Sequence, residues 1–374
     1  MNGFPAVDPI PLPAPVWLFK ALHMLTLSLH FVAVEMLLGG LLVAVCLSFA
    51  GGKAGAPEKA APRRRAAGAM ARRLPLVMTY VINLAIPPLL FAQVLYGRAL
   101  YTSSVLIGIY WIAVVFLLMG CYWLLYRFSA RAQAGEGGGW LGLGALVLAG
   151  VISRILATNM TLMLRPEVWP KLYAASGIGL HLPADDPTLL PRWLFMLAGG
   201  LVIAGLWMVS LAGRQSLEST VRRYLAGTGG RLALLMILVQ AFFAYQVFRT
   251  QPETVRQGLT ASWLYQAAGY TWLGFAAAVF VIGAWAAVRK PLSAAVGWTS
   301  LGVVVVGMGA MTIYRDGIRD LTLLGKGFDV WQRAVETNWS VVGLFLGVLV
   351  AGLVALAWLL SVMARAKPVS ERVG

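Results

Sequence analysis

His23, His30 and Glu35 lie inside the first long apolar stretch of the chain, within HMLTLSLHFVAVEMLLGG, where a lipid-facing helix would carry only hydrocarbon. Ionisable groups at membrane depth are costly and mark functional sites by default. The two histidines are seven residues apart, so they share one face of an α-helix and stand about 10.5 Å apart along its axis. That is too far to grip one metal ion and suits two separate metal ligands, His23 and His30, stacked along a bundle interior. Haem b fits such a place: imidazole ligates its iron, and its porphyrin suits an apolar interior between helices. For each histidine the competing reading is a core side chain satisfied by a neighbouring backbone carbonyl.

Arg154, in the middle of GVISRILATNM, is the second chemical candidate. A lone arginine at helix centre costs about 2.5–3.5 kcal/mol on insertion scales and needs an anionic partner. A haem propionate would suit it, with Glu35 as the rival partner and a purely structural ion pair as the alternative. Met24, Met160, Met163, Met196, Met308 and Met311 cluster toward one side of the membrane. Methionine can be a second axial ligand, although packing is the ordinary role of each. Pro87 and Pro88 in NLAIPPLLFAQVLYG are expected to kink their helix and to leave carbonyls for Asn83, Gln93 or water. Cys46 and Cys121 each sit in an apolar span with no CxxC or CxxCH, so neither a disulfide, a zinc site nor a c-type haem attachment is expected.

The elements that must position these residues are membrane helices. A chain of 374 residues, 60% hydrophobic and 12% charged, is too apolar for an ordinary soluble domain. Nine stretches reach the roughly 20 apolar residues needed to cross a bilayer. They run approximately over 17–49, 76–100, 103–128, 140–164, 193–212, 231–249, 264–288, 293–313 and 339–363, and predict a single all-α polytopic bundle over 1–374. No internal repeat or soluble domain is evident.

The net charge of +16 lies in short loops between spans, not on one soluble face, so it speaks against nucleic acid and for the lipid bilayer as partner. Lys53, Arg63 to Arg65, Arg72, Arg73, Arg127, Arg131, Arg214, Arg222, Arg289, Lys290, Lys367 and Arg372 fall on one side. Asp8, Glu167, Asp185, Asp186, Glu253, Asp316 and Asp320 fall on the other. The positive-inside rule then places the amino terminus outside and the carboxyl terminus inside. The connection GGKAGAPEKAAPRRRAAGAMARR reads as a mobile loop on the basic side. In YRDGIRD, like charges recur at i,i+4, as at an interfacial helix end that pairs with anionic groups or with its own acids.

On these residues the chain resembles a distant relative of subunit I of the cytochrome bd-type quinol oxidases. His30, Phe31, Val34 and Gly39 match the histidine, phenylalanine, valine and glycine of that family's first helix, and ILATNMTLMLRPEVW is similar to its fourth-span stretch, with Asn159 at the asparagine. The resemblance implies that His30 ligates haem and that Asn159 belongs to the cofactor region. It also implies a multi-pass subunit of a bacterial cytoplasmic membrane, working with other membrane subunits. Departures are equally visible: Ser104 to Trp123 has no acid, Pro191 to Gly213 has no histidine, and the family's long quinol loop is reduced to RTQPETVRQGLTASW.

The expectation is therefore a bd-like subunit with one or two non-covalent haems b, passing electrons near the outer leaflet. It would not be a complete quinol oxidase by itself, and a periplasmic c-type cytochrome would be its electron partner. Two rivals stay open: a haem-free structural paralogue supporting a catalytic sister subunit, and a transporter built around Pro87, Pro88 and Arg154.

Overall fold

A computed structural model describes residues 10–52, 57–288 and 293–365. Asp8, Lys53, Arg289, Lys290, Lys367 and Arg372, which enter the charge pattern above, lie outside the described residues. Among the described residues the chain is built of α-helices with no strand. The first five are α1 (Val16–Gly52), α2 (Pro57–Ala71), α3 (Leu74–Leu106), α4 (Gly108–Gln133) and α5 (Gly139–Leu162). After the short α6 (Trp169–Ala175) come α7 (Leu189–Ala212), α8 (Ser219–Arg249) and the short α9 (Glu253–Ala261). The last three are α10 (Trp263–Val288), α11 (Ala294–Leu324) and α12 (Trp339–Arg365). Within the described residues nine helical stretches are long and apolar enough to cross a membrane.

The bundle is organised around α1 and α7, whose most apolar windows are 67% and 72% buried, against 6% for α12. Between lipid-soluble helices there is no hydrophobic gain in association, so close backbone approach through small residues does the packing. At the α1–α7 crossing a Cβ on Gly39 would overlap the Gly200 carbonyl. The pairs Gly205–Gly229 and Gly230–Gly283 bring α7 to α8 and α8 to α10 in the same way, with a Cβ on either member only 2.6–2.9 Å from the facing carbonyl. Gly39, part of the family-like signature, is thus a packing residue.

Four expectations about the elements change. The basic connection after α1 is helical over Pro57–Ala71, because its alanines favour helix and Ala66, Ala67 and Met70 bury against α1 and α4. The break between the second and third spans falls at Ile107 (φ −119°, ψ 29°), not near 101, since the connection between α6 and α7 reaches in and Ile178 O accepts from Ile109 N at 3.1 Å. The irregular residue of α3 is Tyr96 (φ −130°, ψ 29°), eight positions beyond Pro88. Finally, α11 continues to Leu324, so YRDGIRD is helix interior and faces the bundle, with Asp316 and Arg319 buried.

Candidate functional site

Both histidines of α1 turn toward α3. His23 Nδ1 lies 3.0 Å from the Pro88 carbonyl oxygen, and the Val81 carbonyl lies near His30 without forming a hydrogen bond to its Nδ1. The seven-residue spacing of the imidazoles on α1 is thus met by a seven-residue spacing of carbonyls on the antiparallel α3. His23 is committed at its other nitrogen as well, where Arg319 Nη1 donates to Nε2 at 2.9 Å. An arginine can only donate. The tautomer follows: Nδ1–H donates to Pro88, Nε2 accepts from Arg319, and no lone pair is left for iron. In this arrangement His23 does not serve as the metal ligand anticipated for it. His30 differs, because its Nδ1 is buried without a hydrogen-bond partner.

The Arg319 contact opens onto a larger buried network. On α11 the bases Arg315 and Arg319 form one i,i+4 stripe, and the acids Asp316 and Asp320 form another, turned about 100° around the helix. The acid stripe meets Lys20 of α1, itself 2% exposed. Lys20 Nζ has three protons and three acceptors: Asp316 Oδ2 at 2.5 Å, Asp320 Oδ2 at 2.6 Å and the Tyr96 hydroxyl at 2.8 Å. Having accepted from Lys20, the Tyr96 hydroxyl has one proton to give. Asp320 Oδ1 at 2.8 Å takes it in preference to Asp316 Oδ1 at 3.4 Å. Arg319 lies over the Tyr96 ring, 4.9 Å from its centroid, and Ser28 meets Thr312 at 2.6 Å one turn deeper. The irregularity of α3 at Tyr96 is where this ring enters the network.

The base stripe of α11 faces a pocket of about 630 Å³ between α7, α8, α10 and α11. Phe195, Met196, Trp272 and Met311 form apolar walls, and Arg192, Arg315 and Arg319 bring three guanidinium groups to one end, with Tyr265 beside them. Tyr245, Tyr270 and Leu273 line it and are exposed on the outside of the bundle, so the mouth opens toward lipid. Volume and lining are those of a small-molecule site.

The remaining candidates lie elsewhere. Glu35 is buried beside Gly199, where a Cβ would stand 2.7 Å from Oε2 and 2.5 Å from Gln240 Nε2. Glu35 Oε1 and Gln240 Oε1 have no hydrogen-bond partner. Arg154 donates to Thr158 Oγ1 and, at 3.1 Å, to the Pro183 carbonyl, so its partners among the described residues are neutral and Glu35 is not one of them. Asn159 donates to Ser104 Oγ at 3.2 Å while its Oδ1 is buried and unpartnered. The five sequence candidates are therefore divided among three places: His23 and His30 toward α3, Glu35 toward α7 and α8, Arg154 and Asn159 on α5. His181 bonds locally to Leu172 O at 2.9 Å. Met160, Met196 and Met311 line the pocket, whereas Met163 and Met308 are core. Both cysteines are free thiols.

Lys20, Tyr96 and Arg192 were absent from the sequence candidates, although Lys20 stands one helical turn before His23 in the same apolar segment. Outside the spans, Arg165 gathers the connection between α5 and α7, donating from Nη1 and Nη2 to the two Asp185 oxygens at 3.1 and 3.0 Å. This pairing holds the Asp185 carboxyl below the usual carboxylate range. Against known proteins, no protein-family model matches the chain and no curated protein matches it, so its assignment rests on the geometry above.

Proposed function

We propose that the chain is a bd-oxidase-like membrane subunit of a respiratory electron-transfer complex, holding one haem b through His30. The observation that carries this reading is the difference between two imidazoles on one helix face: His23 has both nitrogens engaged, while His30 keeps a buried Nδ1 without a hydrogen bond. A buried ring nitrogen left without a hydrogen bond is costly unless a ligand completes it. Arg154, whose partners are neutral, is the group to hold a propionate. When bound, the haem would supply one-electron redox chemistry. The protein's own contribution is an apolar surround, a fixed imidazole and a fixed cation. Placement in a bacterial cytoplasmic membrane, with the amino terminus outside, gives access to a periplasmic c-type cytochrome.

The test is a pyridine haemochrome spectrum on the purified full-length chain. Haem b is expected in the wild type and in His23→Ala, and its loss in His30→Ala. No haem in the wild type, or unchanged haem in His30→Ala, overturns the assignment.

A second reading, a haem-free subunit that braces a catalytic sister chain, is favoured by the Val81 carbonyl, which lies near His30 in the same register as the Pro88 carbonyl bonded to His23 and would close the same bond after a small shift. Stable isolation only together with a haem-bearing partner would support it.

A further inference from the structure

We propose that the pocket between α7, α8, α10 and α11 binds an acidic amphiphile, its anionic head held by Arg192, Arg315 and Arg319 and its hydrocarbon lying against Phe195, Met196 and Trp272. The inference goes beyond the haem reading and does not depend on it.

The argument begins with charge. Lys20 and Arg319 are matched by Asp316 and Asp320, which are both already engaged by Lys20. Arg315 and Arg192 are left over. Among the described residues neither has a carboxylate within ion-pair distance. Arg192 donates only to neutral groups, to Thr188 O at 2.9 Å, Thr188 Oγ1 at 2.6 Å and Thr161 Oγ1 at 3.0 Å. Arg315 lies over the Phe31 ring at 5.3 Å, and its Nη1 is buried with no hydrogen-bond partner. Like charges gathered in an apolar pocket repel one another strongly in a low dielectric. An anion there relieves that repulsion and fills the vacant donor with charge-assisted hydrogen bonds.

The rest of the pocket sets the other half of the ligand. From the arginines the walls run through aromatic and methionine side chains to a mouth lined by the exposed Tyr245, Tyr270 and Leu273. A small inorganic anion would leave these walls bare, and a neutral lipid would leave the arginines uncompensated. A phosphate- or carboxylate-headed molecule with an acyl chain, entering sideways from the bilayer, satisfies both ends.

The test uses the full-length chain purified in a neutral detergent, with thermal unfolding followed by tryptophan fluorescence. Phosphatidylglycerol at about a hundredfold excess over its Kd should raise Tm by about 3–4 °C. Phosphatidylcholine with the same acyl chains and inorganic phosphate should not. A response to oleate as well identifies the carboxylate as sufficient; a response to phosphatidylglycerol alone identifies the phosphodiester. The double variant R192Q/R315Q should lose the shift and R315K should keep it. Free of lipid, R192Q/R315Q should unfold at or above the wild-type temperature, which distinguishes lost binding from misfolding. The lipid response should survive in His30→Ala whatever becomes of haem. Equal shifts with phosphatidylcholine, an unaltered phosphatidylglycerol response in R192Q/R315Q, or loss of bound haem in that variant would overturn the proposal.

Discussion

Arg319 donates to His23 Nε2 at 2.9 Å, tying α11 to α1 across nearly the whole chain, and the same guanidinium lines the pocket. One side chain thus couples the histidine face of the first helix to the arginine-rich pocket behind it. It also sets the tautomer of His23, because the only nitrogen that can accept from an arginine is one without a proton.

His23→Ala removes the acceptor of Arg319 Nη1 and the donor to Pro88 O together. A buried polar group left unpaired costs about 1–3 kcal/mol. The expected outcome is a clear fall in Tm in detergent, while His181→Ala, whose ring bonds to a single carbonyl of the short α6, shifts it little. A wild-type Tm for His23→Ala would show that the pair carries no stability.

Lys20→Met should be more damaging. It leaves Asp316 and Asp320 facing each other with their shared cation gone, and breaking a buried pair from one side costs about 3–5 kcal/mol. Neutralising the acids at the same time, as K20M/D316N/D320N, should recover much of the loss. Unfolding curves of the single and triple variants measure the coupling, and simple additivity would refute it.

Gly39→Ala places a methyl group into the Gly200 backbone, where neither helix can yield a side chain. Overpacking of this kind costs about 1–3 kcal/mol or more. Gly274→Ala is the control, since nothing lies within 4 Å of a Cβ there and alanine is the better helix former. Folded yield by size-exclusion chromatography should drop for G39A and hold or rise for G274A.

The connection between α5 and α7 should loosen in acid. Asp185 is held below its ordinary value by Arg165, so the stabilisation it brings is complete above the usual carboxylate range and is lost as pH falls through the lowered value. Hydrogen-exchange protection over residues 165–188, taken relative to the slower intrinsic exchange in acid, should therefore fall at low pH, and Asp185→Asn should show lower protection at neutral pH with a flatter profile. The effect is small, because Asp185 is largely exposed.

Orientation is open to a direct labelling experiment. Tyr173→Cys on the exposed face of α6 should react with a membrane-impermeant maleimide on intact cells, and Arg131→Cys only after permeabilisation. The opposite pattern would invert the expected topology.

How far the sequence reaches can be seen by comparing α1 with α11. Apolar length alone defined the helical class and the number of spans, because an exposed backbone cannot persist in lipid and each crossing needs its own run of hydrocarbon side chains. The seven-residue spacing likewise put His23 and His30 on one face, since 3.6 residues per turn is a local property of the chain. What that face meets was not legible: the carbonyls of Pro88 and Val81 come from α3 and the guanidinium of Arg319 from α11, helices that become neighbours of α1 only in the folded bundle. Charge in YRDGIRD made the end of α11 look interfacial, because hydropathy scores each residue as if it stood alone in lipid. Only the tertiary structure brings Lys20 and Tyr96 to the acids and gathers Arg192 with Arg315 and Arg319, and it is this long-range pairing that lets a charged helix end lie within the bundle.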